Sequence, residues 1–241
     1  MYIPVHLCAY VLKKKLVSEF RLYIYLKYKS GNGKIYIDKD IRIHIGKDLN
    51  LHEKTVAIQL KKLIELKWIG RDRNNNYHIR SKKLLYDRTS EYKPICYKTE
   101  VDFSFSYLNT FRAYLAGAVF GYFINNQKRK RFKKREGLEN ASSLQSPAFF
   151  PLALIAMNKI LGIGISTLET YRLEAVREKY ISFSGEKVEC LLMPNYHINW
   201  MKKHIPEIGP KLISRENNTC MQRPNCYSTS LHFKRGRFHV T

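Results

Sequence analysis

The sequence predicts an α+β fold, mostly helical, in two units built to the same plan. Three observations carry this. Apolar residues recur at helical spacing along most of the chain, broken by short alternating pieces prone to β structure. The order of these pieces over residues 7–80 returns over residues 104–205. The length of 241 residues fits one large or two small domains, and 44% hydrophobic residues are enough for a core, which excludes general disorder.

In the first half, Leu7 to Lys29 carries Val11, Leu12, Leu16, Phe20, Tyr23, Ile24 and Leu26 at helical spacing, and Gly31-Asn32-Gly33 stops it. Lys34 to Asp38 alternates and reads as a short strand. Asp38 caps a short helix from Lys39 to Ile45 that ends at Gly46. After a turn over Asp48–Leu51, a helix from His52 to Lys67 buries Val56, Leu60, Leu63 and Ile64. Trp68-Ile69 and Tyr77 to Ile79 then flank an Asn-rich turn that tolerates left-handed conformations, giving a hairpin with a basic tip.

Tyr86 to Glu100 reads as a linker, with an extended piece from Ile95 to Phe103. A long helix follows from Ser104 to Asn125, then a loop from Asn126 to Pro147 that is first basic and then rich in Ser, Asn and Gln. Leu152 to Leu161 is a short helix and Gly162 to Ile165 a turn. Ser166 is placed to cap the next helix, with Glu169 completing a capping box. That helix, Thr167 to Lys179, turns Leu168, Tyr171, Ala175 and Val176 inward. Tyr180 to Leu192 reads as strand, Ser-Gly turn, strand. Asn195 to Lys203 closes the unit as a helix, and the chain from Pro206 is polar and turn-rich.

The charge narrows the partners. Forty-three Lys and Arg stand against 20 Asp and Glu, a net +23 that both halves share. A field of that sign suits a polyanion, nucleic acid above all, and disfavours an ordinary small-molecule enzyme. Five scattered cysteines form no disulfide framework, and Met1 to Leu16 is broken by Pro4 and His6, unlike a signal peptide. A reducing cytoplasm is the expected compartment. Residues 103–125 with the basic run behind them resemble a membrane span. Arg112 in the middle would cost about 2.5–3.5 kcal/mol at a bilayer centre. Only about ten residues are continuously apolar, so a buried core helix with no membrane partner is expected.

Helix, turn, amphipathic helix and hairpin together resemble the winged helix-turn-helix family. Leu49 to Leu63, followed by Trp68-Ile69, looks like that family's second and third helices and the start of its wing. The resemblance covers about residues 7–80, and a second, looser copy centred on Leu161 to Val176 covers about 104–205. It implies two tandem winged-helix domains with short β-hairpin wings. The first spans 1–88 and 89–103 is a linker. The second spans 104–205 with a basic insertion at 126–147, and 206–241 is a basic tail. Tandem winged helices on a basic chain resemble the replication initiators of plasmids and related mobile elements, in which one copy often dimerises and the other binds repeated origin sequences.

Such a unit lays its third helix in the major groove of double-stranded DNA. In the first copy the expected contacts are His52, Lys54, Thr55, Gln59, Lys61 and Lys62, with Gln59 able to read adenine and Arg71 and Arg73 on the hairpin. Ala57 and Ile58 are poor readers and fit a homodimer contact, while Glu53 opposes phosphate. In the second copy the contacts are Ser166, Thr167, Thr170, Arg172 and Arg177, with Lys187 on the wing. The run Lys128, Arg129, Lys130, Arg131, Lys133, Lys134 and Arg135 is a phosphate-binding loop.

Cys220, Cys226, His232 and His239 invite a zinc reading, but their spacing misses a common tight site, so no metal is expected. No Walker-type loop, no Gly-x-Ser-x-Gly and no His-Glu-x-x-His is present, and no cofactor is expected. Tyr107, Tyr114 and Tyr122 read as core or interface residues. The expectation is a sequence-specific duplex DNA-binding protein without catalytic residues, acting in replication or transcription of a mobile element or phage. The alternatives are a subunit of a nuclease or recombinase and a peripheral membrane protein using 103–135.

Overall fold

The computed structural model describes residues 1–81, 84–85, 99–135, 150–183, 187–190, 199, 212–215, 218–223 and 226–235. It is α+β and mostly helical, with small antiparallel sheets.

The first strand, β1 (Tyr2–Pro4), runs into α1 (Val5–Lys13), which is buried along nearly its whole length. A single helix over 7–29 is not what forms. Lys15 adopts φ 56, Leu16 N–H donates to Val11 O at 3.0 Å, and Lys15 N–H donates to Leu12 O at 3.3 Å. These two bonds close a helix end around a left-handed residue, a place usually held by glycine. A new helix, α2 (Val17–Lys29), starts directly behind it and buries Phe20, Leu22, Tyr23, Ile24, Tyr25 and Leu26.

Next come β2 (Lys34–Tyr36), α3 (Lys39–Leu49), α4 (Glu53–Glu65), β3 (Ile69–Arg71) and β4 (Asn76–Ile79). Asp38 caps α3, accepting from Ile41 N–H at 2.8 Å. This helix runs through Gly46 and ends only at Asn50, which takes φ 51. Gly46 is needed for approach, not for stopping: a Cβ there would lie 2.5 Å from Leu51 O. Strand β4 lies between β2 and β3. The β3–β4 turn is held by Asp72, which accepts from Asn74 N–H at 2.8 Å and Asn76 N–H at 2.9 Å, with Asn75 at φ 60.

The second half starts from β5 (Thr99–Asp102), within the expected linker. It is the centre of a sheet whose edges are β1 and β12 (Phe233–Arg235). After a 3₁₀ turn at Phe105–Leu108, α5 runs over Phe111–Arg135. The sequence predicts a stop at Asn125, with the basic run in a loop. The helix instead continues through that run, because nothing from Asn126 to Arg135 is a glycine or proline. Then follow β6 (Phe150–Pro151), α6 (Leu154–Leu161), α7 (Ile165–Arg177) and β7 (Ile181–Phe183). Gly162 ends α6 at φ 62. Gly164, not Ser166, is the N-cap of α7, so the expected capping box does not form.

The hairpin expected over 180–192 is also absent. Strand β7 pairs with β11 (Cys226–Thr229), which pairs in turn with β6. Between β7 and β11 the chain builds a separate sheet of β8 (Lys187–Cys190), β10 (Asn218–Arg223) and β9 (Leu212–Arg215), with β10 central. The region expected to be a polar tail thus supplies strands to three sheets. The closing helix expected over 195–203 lies outside the described residues apart from Asn199.

With β8, β9 and β10, which are inserted between β7 and β11, left aside, both halves share one order: helix, strand, helix, helix, strand, strand. In both, the last strand lies between the other two, β2-β4-β3 and β6-β11-β7. One apolar cluster runs through both halves. An aromatic chain crosses between them, Trp68 to Phe20 at 5.7 Å and Phe20 to Phe111 at 5.7 Å, continuing through Phe111–Tyr114 at 6.1 Å and Tyr114–Tyr180 at 5.7 Å. Helix α5 carries Gly117 and Gly121 one turn apart, where a Cβ would lie 2.4 Å from Tyr180 Cβ and 2.6 Å from Thr229 Oγ1. Its small residues let the β7 and β11 segments close on it. Among the described residues no helix is long and apolar enough to cross a membrane.

Candidate nucleic-acid interface

The apolar stripe of α4 decides which side chains it offers. Val56, Gln59, Leu60 and Leu63 are buried, at the i, i+3, i+4, i+7 spacing of one helix face. Gln59 is therefore not an outward base reader. It is 6% exposed, and its Oε1 has no hydrogen-bond partner among the described residues. The outward face carries Lys54, Ile58 and Lys61, with His52 exposed at the N-cap and Thr55 half-buried. The His52 imidazole accepts from Lys54 N–H at 3.2 Å, which satisfies one first-turn amide.

Lys62 is committed elsewhere. Its ammonium donates to Glu19 Oε1 at 2.6 Å, and Glu19 on α2 is buried, so the pair ties α4 to α2. Glu53, read as opposing phosphate, is neutralised by Arg42 Nε at 2.8 Å. At the hairpin, Arg71 donates to Asn75 Oδ1 and lies over the Tyr77 ring at 5.6 Å, its partner across the strands. Arg73 stands exposed in the turn. The first half thus presents Lys54, Lys61, Arg71 and Arg73 along one helix and its hairpin, with Glu53 silenced.

On α7, Ser166 and Thr170 are exposed and Thr167 is half-buried; Thr170 Oγ1 donates back to Ser166 O at 3.1 Å. Arg172 does not point out to a groove. It bonds Glu169, lies over the Tyr227 ring at 5.6 Å, and its side chain is only 14% exposed. The aromatic face and the carboxylate one turn away outcompete water for it. Arg177 is exposed and donates to Glu178 at 3.0 Å. Lys187 lies on β8, which pairs with β10 and not with β7, so it does not sit on the expected hairpin. Its side chain, and those of Lys128, Arg129, Lys130, Arg131, Lys133, Lys134 and Arg135, lie outside the described set; their backbone on α5 is helical.

Sequence reading missed the groups that meet Ser166, Thr167 and Thr170. These line a cavity of about 670 Å³ together with Lys15, Ser18 and Arg21 from the α1–α2 corner. Arg112 also borders it, its guanidinium forked onto both carboxylate oxygens of Glu174 on α7. Those bonds raise the already high pKa of Arg112. Arg21 has no such partner among the described residues, and burial pulls its pKa down. The only signal in the sequence was a lone Arg within the apolar stretch that became α2.

Tyr114 is fully buried, donates to Asp102 O at 2.8 Å and stacks on Tyr107 at 5.1 Å. Burial holds its hydroxyl well above the usual phenol range, which suits a core residue and not a nucleophile. Tyr122 is half-buried beside Phe123. Among the described residues no three His, Cys, Asp or Glu gather as a metal site. Cys226 is buried in β11 and His232 is exposed, while His239 and the Cys220 side chain lie outside the described set. Comparison with protein-family models, with curated proteins and with solved structures finds no match to this chain.

Proposed function

We propose that the chain is a double-stranded DNA-binding protein made of two winged-helix units. The observation that carries the reading is the order of helix, strand, helix, helix, strand, strand with the last strand central, repeated in the second unit around an inserted β8-β10-β9 sheet, on a chain of net charge +23. In the first unit α4 is the recognition helix, presenting His52, Lys54 and Lys61, and the β3–β4 hairpin is the wing, presenting Arg71 and Arg73. In the second, α7 presents Ser166, Thr167, Thr170 and Arg177, and the basic run extends α5 as a phosphate-contacting arm. Gln59, Lys62 and Arg172 are set aside because their side chains are buried or committed. Ile58, 68% exposed, is the homodimer contact. Recognition of an origin or operator in a mobile element or phage is the process this architecture resembles.

The test is binding to random-sequence duplex across a salt series, followed by selection of the bound sequences. We expect affinity to fall steeply with salt and a motif to emerge. Lys54→Ala with Lys61→Ala should lower affinity on every duplex and flatten the salt dependence, each lost phosphate contact removing roughly 0.9 from the log–log slope. Absence of duplex binding at low salt would sink the reading.

A further inference from the structure

Three helices begin on the cavity between the α1–α2 corner and α7. Val17 and Ser18 open α2, Phe111 and Arg112 open α5, and Ser166 and Thr167 lie in the first turn of α7; all six line it. The N-caps of α2 and α7, Leu16 and Gly164, supply no side-chain capping bond. First-turn residues of both 13-residue helices thus border one space, and a helix start carries free amides and the positive end of its dipole.

The side chains add to that field. Lys15 and Arg21 line the cavity, and neither makes an ion pair among the described residues. Arg21 Nε is buried with no hydrogen-bond partner among the described residues. No carboxylate is among the lining residues, and Glu174, which holds Arg112, lies outside them. Three hydroxyl side chains, Ser18, Ser166 and Thr167, line the space, with Thr170, whose own proton goes to Ser166 O, beside them. A half-buried guanidinium without a counter-ion among the described residues is costly to keep, and a phosphate is an anion that its planar fork binds through two bonds.

We propose that this cleft binds a phosphate group, with Arg21 and Lys15 supplying charge and the open ends of α2 and α7 supplying amide and hydroxyl donors. The phosphate is either a backbone phosphodiester of duplex DNA or part of a free phosphorylated small molecule. The first source rests on the duplex-binding reading above; the site itself does not.

The probe is inorganic pyrophosphate against sodium chloride at matched ionic strength, read as thermal unfolding of the full chain. Wild type should gain about 5 °C near saturation. Lys39→Gln, an exposed charge outside the cleft, should keep that gain, and Arg21→Gln should lose it. Ser166→Asp is the second variant: an acid in the first turn of α7 favours the helix yet repels an anion. It should fold at least as well as wild type and lose the response. No gain in wild type, or a full gain in Ser166→Asp, overturns the proposal.

A duplex titration over salt identifies the source. If Lys15→Gln and Arg21→Gln flatten the salt dependence by about one contact each, the occupant is the DNA backbone. If the slope is unchanged but the pyrophosphate response is lost, it is a free phosphorylated ligand. A pyrophosphate response without any duplex binding upholds the cleft and sinks the DNA reading. Duplex binding with neither a response nor a slope change does the reverse.

Discussion

Asp48 joins two helices through one oxygen. Tyr25 on α2 donates to its Oδ2 at 2.5 Å, and Lys29 and His44 lie 3.5 Å and 3.9 Å from the same atom. The Tyr25 hydroxyl first, and then the neighbouring His44 and Lys29, hold this carboxyl below its usual pKa. A carboxyl so depressed contributes stability above its unfolded value of about 3.9, and that contribution is lost as pH falls through the folded value. Asp48→Asn should therefore be less stable than wild type at pH 7, with the gap closing as pH drops below about 4. Denaturant melts from pH 7 to 2 measure this; a gap that does not narrow in acid overturns it. The same scale shows what is legible residue by residue. Asp38 announced its capping role, because a short acid before an apolar run has little else to do. Gln59 did not announce its burial, since a polar side chain at i+3 from Val56 breaks the apolar stripe while still facing inward. Arg172 looked like a reader because nothing nearby in sequence shows that Tyr227, far along the chain, supplies the ring under it.

At the scale of elements, small residues on α5 set how closely the second sheet packs. Gly117→Val adds a side chain whose first carbon alone would lie 2.4 Å from Tyr180 Cβ. The strand must move, and the cost should be about 1–3 kcal/mol or more, read by chemical denaturation. Unchanged stability would mean that α5 and Tyr180 are not packed this way. Elements stopped by glycine or begun by an acid cap were legible, and α4 and α7 end within two residues of the predicted Lys67 and Lys179, but the break at Lys15 was not foreseen. Lys15 ends α1, and Lys67 and Lys179, at φ 57 and 61, follow α4 and α7. A lysine in that conformation carries no sequence mark, because its strain is offset by the apolar residue after it, Leu16, Trp68 or Tyr180, seating in the core. The first hairpin was legible because its strands are neighbours. The second was not, because a nearby β-prone segment, β8, imitated the partner that β11 turned out to be.

The whole molecule is tied across its halves. Phe111 opens α5 in the second half and packs on Phe20 of the first, so Phe111→Ala should cost about 3–5 kcal/mol. The loss should be felt in both halves: amides of Ile69 and Ile79, on the first sheet, should exchange faster by the same free energy as those of Ile181 in the second. Protection unchanged at Ile69 and Ile79 would mean that the halves unfold separately. The three helices of each half were legible at this scale, because each half repeats the same run of stripes and breaks, whereas the strand pairing that closes the second half was not. The shared core was not, since a chain of aromatic contacts from Trp68 to Tyr180 joins residues whose proximity no periodicity encodes.

The central strand of the second sheet is also among the last pieces of that sheet to be synthesised. Strands β6 and β7 both wait for β11, and residues 184–225 must be translated before its first residue exists. At roughly 5–20 residues per second, the nascent chain carries two unpaired edges for a few seconds, with Phe183 on one of them. During synthesis the second half is thus the half in need of chaperoning, while the first can close its own sheet as soon as β4 leaves the ribosome.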